Sequence, residues 1–240
     1  MPPWFDTHVH LDRYDSAEQA ALLARAGDAE VCVIVVADNL ERSRHFETVP
    51  GLAGYLVGVH PLRAATEALP AVLARDGLAV GIGECGFDGA GDIRAQVPVF
   101  RAQCSLAREL GLPLVLHVDG APAWDALLEE CTSLDGLTVV RHYFSGDAAQ
   151  AAWHAERGHY LSFGNPLRRR EDLQAIARGY PADRLLIETD SYPLPGRATE
   201  PRDVVRVGEA LARGRGWTVD ETKAQLATNT AAAFPNLLPG

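Results

Sequence analysis

Short apolar runs recur along the chain, separated by segments in which apolar and polar residues follow helical spacing. The apolar runs are rich in β-branched residues and lack strict alternation, which is typical of parallel strands buried on both faces. They predict eight strands: Trp4 to Leu11, Val31 to Ala37, Leu52 to His60, Leu78 to Glu84, Leu114 to Val118, Leu137 to Phe144, Tyr160 to Phe163 and Leu185 to Thr189.

Helical segments separate the predicted strands. The segment from Ser16 to Ala26 begins with a capping-box pattern, Ser16-x-x-Gln19. In Asp92 to Leu110, apolar residues recur every three or four positions. A last helix is predicted over Thr218 to Phe234, after the eighth strand, and it opens with Thr218-x-x-Glu221.

Eight strand–helix units in succession predict an α/β fold, and the natural closure of such a parallel sheet is a (β/α)8 TIM barrel with an extra C-terminal helix. No Pro/Gly-rich linker divides the chain, so residues 1–240 are predicted to form a single domain. A doubly wound open sheet is the structural alternative. The early Gly-rich phosphate loop that such a sheet commonly carries is absent from this sequence.

Composition and charge narrow the functional classes. With 47% hydrophobic and 22% charged residues, the chain is neither largely disordered nor fibrous. Its formal net charge of −10 excludes a basic surface that wraps duplex DNA, whereas a small phosphate-bearing substrate remains compatible. No apolar stretch approaches the ~20 residues that span a membrane. The four scattered cysteines and the lack of a charged-then-apolar leader predict a cytoplasmic protein with no membrane segment.

Residues of the metal-ligand type stand at the ends of six predicted strands. They are His8, His10, His60, Glu84, His117, His142 and Asp190. Because the carboxyl ends of barrel strands meet at one rim, we expect these side chains to converge. Imidazoles and carboxylates without a thiolate suit Zn²⁺, Mn²⁺, Fe²⁺ or Ni²⁺. Since the set exceeds the three protein ligands of a typical catalytic zinc, a two-metal centre is the economical arrangement.

The spacing of His8 and His10 supports a role for both as metal ligands. Residues i and i+2 of a strand face the same way, so these two imidazoles can chelate one ion. Any single histidine or carboxylate of the set is as well explained as a hydrogen-bonded structural residue. Together, however, they would form a costly polar cluster if no metal were bound. The remaining histidines, His45, His154 and His159, are predicted to have surface or packing roles.

Six motifs follow one another along the chain: Phe5 to Asp12 (FDTHVHLD), Gly58 to Pro61 (GVHP), Gly83 to Asp88 (GECGFD), Leu116-His117, His142 to Gly146 (HYFSG) and Glu188 to Ser191 (ETDS). In this order they resemble the successive signatures of TatD-type metal-dependent deoxyribonucleases, which are (β/α)8 barrels of the amidohydrolase superfamily. The resemblance runs from residue 5 to about 194, and weakly on to residues 229–234.

The resemblance implies two divalent metal ions, Zn, Mn or Mg, and a role for each ligand. The residues implied as metal ligands are His8, His10, Glu84, His117, His142 and Asp190. Glu84 would bridge the two ions, Asp190 would orient or deprotonate the attacking water, and His60 would lie near the leaving group. Lys223 is the single lysine of the chain and stands in the last helix, so the carboxylated lysine that bridges metals in many amidohydrolases is excluded here.

The implied activity is a metal-dependent exonuclease that hydrolyses the phosphodiester bonds of DNA at 3′ ends or in single strands, through water that two metals activate. Residues expected to contact the substrate are Arg63, Arg168, Arg169, Arg197 and Tyr192. Two departures from the family pattern lie on the substrate side. Asp119 stands where the family has an arginine after strand five, and Tyr192-Pro193 inverts the family's proline–aromatic order.

Two other interpretations remain open at this point. The same centre could hydrolyse an amide or lactone or act as a deacylase, which the missing strand-five arginine and the acidic composition favour slightly. The chain could also be a partner-dependent nuclease subunit of an antiphage complex, since it is short like the compact TatD-like nucleases of such systems. No obligate partner is evident from the sequence itself.

Overall fold

The computed structural model describes residues 1–37, 52–67, 79–193 and 199–238. Eight parallel strands pair in sequence order into a nearly closed barrel, which confirms the predicted (β/α)8 fold. They are β1 (Trp4–Val9), β2 (Val31–Ala37), β3 (Leu52–Val57), β4 (Ala79–Asp88), β5 (Leu114–Asp119), β6 (Val139–Arg141), β7 (Tyr160–Phe163) and β8 (Leu185–Ile187). Past the end of β8, Ser191 pairs with Val9 and closes the ring.

Seven α-helices lie within the described residues: α1 (Ser16–Asp28), α2 (Ile93–Leu110), α3 (Ala121–Glu129), α4 (Ala148–Glu156), α5 (Glu171–Gly179), α6 (Val204–Arg215) and α7 (Val219–Ala233). The extra C-terminal helix is α7, and Thr218 and Glu221 cap it reciprocally, as predicted. The predicted cap of α1 is wrong by one residue. Asp15, not Ser16, caps α1, because the Asp15 carboxylate accepts the hydrogen bond of the Glu18 amide.

Two apolar layers explain why the strands lack alternation. One layer fills the inside of the barrel, with Ile34, Leu56, Val115 and Leu186 in a cluster that Phe234 joins from the end of α7. The other lies between the strands and the surrounding helices. Its members include Val33, Val35, Cys85, Phe87, Phe100, Leu114, Leu116 and Leu211. Because successive strand residues enter different apolar layers, most strand positions away from the carboxyl ends are hydrophobic and no strict alternation arises.

Several strand boundaries differ from the prediction. Strand β4 runs on to Asp88, so Glu84 lies within a strand and not at its end. The predicted sixth and eighth strands are too long, since β6 ends at Arg141 and β8 at Ile187. Tyr143, with φ of 42°, and Asp190, with φ of 50°, adopt left-handed backbone conformations. An extended strand cannot include that conformation, so the ladders end before these residues.

Helix α7 contacts the chain at the amino ends of the strands, opposite the carboxyl ends that carry the polar residues. The Lys223 ammonium lies 2.9 Å from Glu30 Oε2, and the Asn229 amide donates to the carbonyls of Ala182 and Leu185. All four cysteines are free. Of the helices that the structure describes, none combines the length and the apolar character needed to cross a bilayer.

Candidate metal centre

A cavity of about 320 Å³ opens at the carboxyl ends of the strands and contains the predicted cluster. Five of the six predicted metal ligands line this cavity, namely His10, Glu84, His117, His142 and Asp190. The sixth, His8, is fully buried directly beneath them, with its ring stacked on that of His142 at a centroid distance of 4.1 Å. The expectation that these strand ends converge is therefore met by the geometry.

One oxygen of Glu84 faces the histidines of the first strand. Glu84 Oε2 lies 3.6 Å from His8 Nε2 and 3.6 Å from His10 Nε2. Asp190 Oδ1 approaches the same two nitrogens, at 3.9 and 3.3 Å. Two imidazole nitrogens and two carboxylate oxygens thus surround one point, and His8, His10 and Glu84 together are able to hold a metal ion.

The other oxygen of Glu84 faces the histidines of the fifth and sixth strands. Glu84 Oε1 lies 2.6 Å from His117 Nδ1 and 2.8 Å from His142 Nε2. These three side chains form a second group able to hold an ion. The Glu84 carboxylate is therefore divided between two groups of nitrogens, and this is the arrangement a bridging ligand requires.

Outer carboxylates hold the two histidines of the second group, and the sequence analysis assigned them no role. His117 Nε2 lies 3.2 Å from Asp88 Oδ2, and His142 Nδ1 lies 3.1 Å from Glu188 Oε1. Such partners fix the ring orientation and tautomer of a metal-binding histidine. Spacing gives a signal only for the face on which each carboxylate lies, since Asp88 follows Glu84 by four residues along β4 and Glu188 precedes Asp190 by two; it does not show which histidine each one contacts.

Buried charges in this cluster depend on one another. Burial by itself would raise the pKa of Glu84, but the histidines around it, with His142 foremost, hold the pKa well below its usual value. Burial would likewise lower the pKa of His142, but the carboxylates of Glu84 and Glu188 raise it to about 10. The Glu84 oxygens therefore lie where positive charge is strongly stabilised.

The donor set fits a divalent metal. Imidazole nitrogens and carboxylate oxygens are the ligand types of Zn²⁺ and Mn²⁺ sites. His8 gives an independent indication, because neither of its buried ring nitrogens has a hydrogen-bond partner among the described residues. A buried polar atom without a partner costs about 1–3 kcal/mol. A metal ion between His8 Nε2 and the facing carboxylates would supply that partner.

His60 lies in the cleft but has a different hydrogen-bonding pattern. Its Nδ1 accepts a hydrogen bond from the Leu62 amide at 3.1 Å, so in the neutral ring the proton is on Nε2. That nitrogen lies 3.7 Å from Glu84 Oε1. Burial, with help from His117 and His142, lowers the pKa of His60 to about 4 despite nearby Glu84. A neutral ring that presents Nε2–H to the cleft is a hydrogen-bond donor rather than a metal ligand.

Arg141 is a cleft residue that the sequence analysis missed. This buried arginine immediately precedes His142, and its guanidinium donates to the backbone carbonyls of Leu116, Val118 and His142. It thereby connects the chain on both sides of His117 to the chain at His142. An arginine inside an apolar strand was the available signal, because a buried guanidinium needs several acceptors.

The predicted substrate residues lie in different places. Tyr192 lines the cleft with Arg13, a second residue that the sequence analysis missed, whose guanidinium lies 5.3 Å from the Tyr192 ring centre. Arg63 is not among the lining residues and pairs with Glu67 at 3.3 Å. Arg168 and Arg169 line a neighbouring cavity of about 270 Å³. Arg197 falls outside the described residues.

Comparisons with known proteins point, as the geometry does, to a metal-dependent hydrolase. The family model described as TatD related DNase matches residues 5–235. Over 250 residues the chain is 30% identical to the uncharacterized metal-dependent hydrolase YabD of Bacillus subtilis, covering 96% of this chain and 98% of the relative. Over 256 residues it is 30% identical to the 3′-5′ ssDNA/RNA exonuclease TatD of Erwinia amylovora, covering 96% and 99%.

A solved structure supports the similarity. The crystal structure of YjjV, a TatD homologue from Escherichia coli, matches this fold with a TM-score of 0.85 and 26% sequence identity. The match covers 98% of both chains. A TatD family hydrolase from Entamoeba histolytica matches with a TM-score of 0.82 at 16% identity, a likeness of fold.

Proposed function

The chain belongs to the TatD related DNase family of metal-dependent hydrolases, and on this premise we propose that it is a deoxyribonuclease that removes nucleotides from 3′ ends of single-stranded DNA. The observation that carries the proposal is the division of the Glu84 carboxylate between two groups of histidines. Two cations placed about 3.5–4 Å apart are a common device of enzymes that cleave phosphodiesters. The similarity to the Erwinia amylovora exonuclease supports the choice of substrate.

We assign the ligands by the Glu84 oxygen that each one faces. His8, His10 and Asp190 would hold one divalent ion with Oε2, and His117 and His142 would hold the second with Oε1. Zn²⁺, Mn²⁺ and Mg²⁺ are the candidates, with the imidazoles favouring the first two. When bound, such ions supply Lewis-acid activation of water and neutralise charge on the phosphodiester.

The side chains around the ligands would handle protons and orientation. The Asp190 carboxylate lies at the cleft surface, where it can accept the proton of the attacking water. His60 Nε2–H can donate a hydrogen bond to a non-bridging oxygen or to the leaving oxygen of the phosphodiester. The Tyr192 ring is the candidate stacking surface for a base at the cleft entrance.

The Asp119 carboxylate favours one alternative, because a negative group at the cleft opposes a phosphate and suits an amide or lactone substrate better. The Arg13 and Arg141 guanidinium groups line the same cleft and offset this charge. Two bound divalent cations together with these arginines would outweigh the Glu84, Asp119 and Asp190 carboxylates of the cleft, so the metal-loaded cleft would accept a phosphodiester. The amide, lactone or deacylase activity is retained as the competing outcome of the test.

The test combines metal analysis with product analysis. Purified protein should contain up to two divalent ions per chain. With Mn²⁺, Zn²⁺ or Mg²⁺ it should shorten a 5′-labelled single-stranded oligonucleotide stepwise and release the terminal nucleotide of a 3′-labelled one. Hydrolysis of lactones or N-acyl amino acids, with no nucleotide released under any metal, would assign the alternative function and reject this one.

A further inference from the structure

We propose that the cavity beside the metal cleft is a phosphate-binding subsite, which holds the phosphate group of the nucleotide adjacent to the scissile bond. The inference rests on the proposed function and extends it by assigning where the strand lies. The cavity, of about 270 Å³, lies between the loop after β7 and the start of α6. Its polar lining includes Tyr143, Asn165, Arg168, Arg169, Asp203 and Arg206.

Tyr143 connects the two cavities, since it lines both. Its ring lies over Gly164, where an added Cβ atom would be 2.3 Å from Tyr143 Cε2. The absence of a side chain at Gly164 therefore lets the ring lie between the metal cleft and the second cavity. A DNA strand whose reacting phosphodiester lies at Glu84 can pass this ring, against which a base can stack, and place its next phosphate beyond it.

Charge in the cavity is opposite to that of the whole protein. The chain carries a formal net charge of −10, yet the described residues that line this cavity contribute three guanidinium groups and one carboxylate. Arginine forks donate to phosphate oxygens in pairs, which makes them well suited to a phosphodiester group. A site of this charge concentrates an anionic strand locally even though the rest of the surface repels it.

The arginines of the cavity also differ from other arginines in their partners. Arg101 and Arg170 form close ion pairs with Glu130 and Asp172, at 2.6 and 2.5 Å. In the cavity, the shortest contact of Arg206 with Asp203 is 3.5 Å, and Arg168 donates to the neutral Asn165 amide oxygen at 3.3 Å.

The remaining cavity arginine is less constrained still. The Arg169 guanidinium forms no hydrogen bond or ion pair with any residue that the structure describes, although the Arg169 backbone amide donates to the Pro166 carbonyl. The guanidinium donors in the cavity therefore remain available to a ligand.

The first experiment measures binding without catalysis. Fluorescein-labelled single-stranded oligo(dT) is titrated with metal-free protein in EDTA, and anisotropy is followed across a series of NaCl concentrations starting at low salt. The combined variant R168Q/R169Q/R206Q should raise Kd about tenfold or more. The slope of log K against log salt should fall in magnitude by about 0.7 for the phosphate that is lost.

The matched control is R213Q on the same helix. Arg213 is exposed and lies seven residues beyond Arg206, which is about 10 Å along the helix toward its other end. R213Q removes the same single charge as R206Q and, unlike R206Q, should leave Kd and the salt slope near the wild-type values. Equal effects of R213Q and the combined variant would overturn the subsite, as would wild-type affinity in the combined variant or no binding by the wild type at low salt.

A second experiment locates the phosphate. Single linkages of the oligonucleotide are replaced, one at a time, by uncharged methylphosphonate. The wild type should lose affinity at one linkage next to the 3′-terminal one, and the combined variant should be insensitive to the same replacement. Equal sensitivity of both proteins at every linkage would overturn the assignment. It would also mean that these arginines attract only free phosphate or contribute long-range charge.

Activity separates the subsite from the proposed function. With metal added, the combined variant should lose at least about tenfold more kcat/KM on the oligonucleotide than on bis(p-nitrophenyl) phosphate, which has one phosphate and no neighbour. The loss should appear mainly in KM. If the wild type binds the oligonucleotide through these arginines but does not hydrolyse it with any of the added metals, the proposed function fails while the subsite stands.

Discussion

Two pairs of histidines in this protein have opposite surroundings, although three of the four, His142, His154 and His159, are buried and only His117 is partly exposed. His117 and His142 lie between carboxylates, those of Glu84, Asp88 and Glu188. His154 and His159 lie away from the cleft, with their Nδ1 atoms 3.0 Å apart and the Trp153 ring packed against both. Burial alone therefore does not give a histidine its chemistry.

Carboxylate neighbours make the difference. The pKa of His142 is raised to about 10 by Glu84 and Glu188 against the effect of burial. The pKa of His159 is lowered to about 4, mainly by burial, and that of His154 is held well below its usual value by burial and by His159. His142 therefore lies where a cation is stabilised, whereas the second pair must remain neutral. The following substitutions test this contrast, beginning with the largest expected effect.

Removing the Glu84 carboxylate should abolish the stabilisation of positive charge at His142 and should have the largest effect. Glu84→Gln leaves the side-chain volume nearly unchanged but removes the charge that both histidine groups face. We expect hydrolase activity to fall about 1,000-fold or more, with loss of bound metal measured by elemental analysis and a circular dichroism spectrum like that of the wild type. The control is Glu156→Gln, at an exposed position. Activity within tenfold of the wild type would contradict the bridging role of Glu84.

Arg141 acts on both histidine pairs. Its guanidinium donates to the His142 carbonyl, and its charge helps to lower the pKa of His154. Arg141→Met would remove the guanidinium donor from the Val118 and His142 carbonyls, while the Leu116 carbonyl would keep the His142 amide. We expect a loss of about 3 kcal/mol in unfolding free energy, which is a fall of about 6–12 °C in Tm for a domain of this size. Arg141→Lys should recover part of the stability. A Met variant with unchanged Tm and metal content would show that the guanidinium does not position the histidines.

The outer carboxylates should matter less than the shared one. Asp88→Asn keeps the shape at His117 Nε2 but removes the charge, and we expect metal affinity to fall about 10–100-fold, measured by competition with a chelating dye. Asp119→Asn is the matched control, because that carboxylate lines the same cleft without a hydrogen bond to His117 or His142. Equal losses in both variants would indicate a general effect of cleft charge.

The pair remote from the cleft should affect stability and its pH dependence, but not metal binding. Because the folded-state pKa of His159 lies near 4 and the unfolded value near 6.5, the unfolded chain binds more protons between these values. The stability that the neutral pair contributes is present above about pH 6.5 and is lost as the pH falls toward 4.

This pH effect can be isolated by substitution. Between pH 7 and 5.5, the wild type should lose about 1 kcal/mol more unfolding free energy than His159→Asn, as measured by urea unfolding. A variant with the same pH dependence as the wild type would contradict the neutral pair.

Much of the fold follows from local pattern. Eight apolar runs predicted eight strands in the correct places, and the Thr218 capping box marked the start of the last helix. Boundaries were less accurate at the strand ends that carry polar residues. The extension of β4 to Asp88 and the early ends of β6 and β8 depend on pairing with neighbouring strands and on left-handed residues at Tyr143 and Asp190. Sequence periodicity does not contain that information.

The residues of the candidate centre were also accessible from the sequence, but their partners were not. His8, His10, Glu84, His117, His142 and Asp190 were found because each stands at or near the carboxyl end of a strand. Sequence position cannot show that Asp88 and Glu188 hold two of these histidines. It also cannot show that Arg13 and Arg141 line the cleft while Arg63 pairs with Glu67.

The sequence by itself determined the barrel, the family resemblance and the set of ionisable groups at one rim, because strand polarity and residue type are local properties that a (β/α)8 fold gathers at one end. The tertiary structure alone decided which Glu84 oxygen faces which histidines, which nitrogen of His60 carries the proton, and which arginines remain available beside the cleft. These outcomes depend on distances of a few ångströms between residues far apart in the chain, and side-chain electrostatics and hydrogen bonding change steeply over such distances.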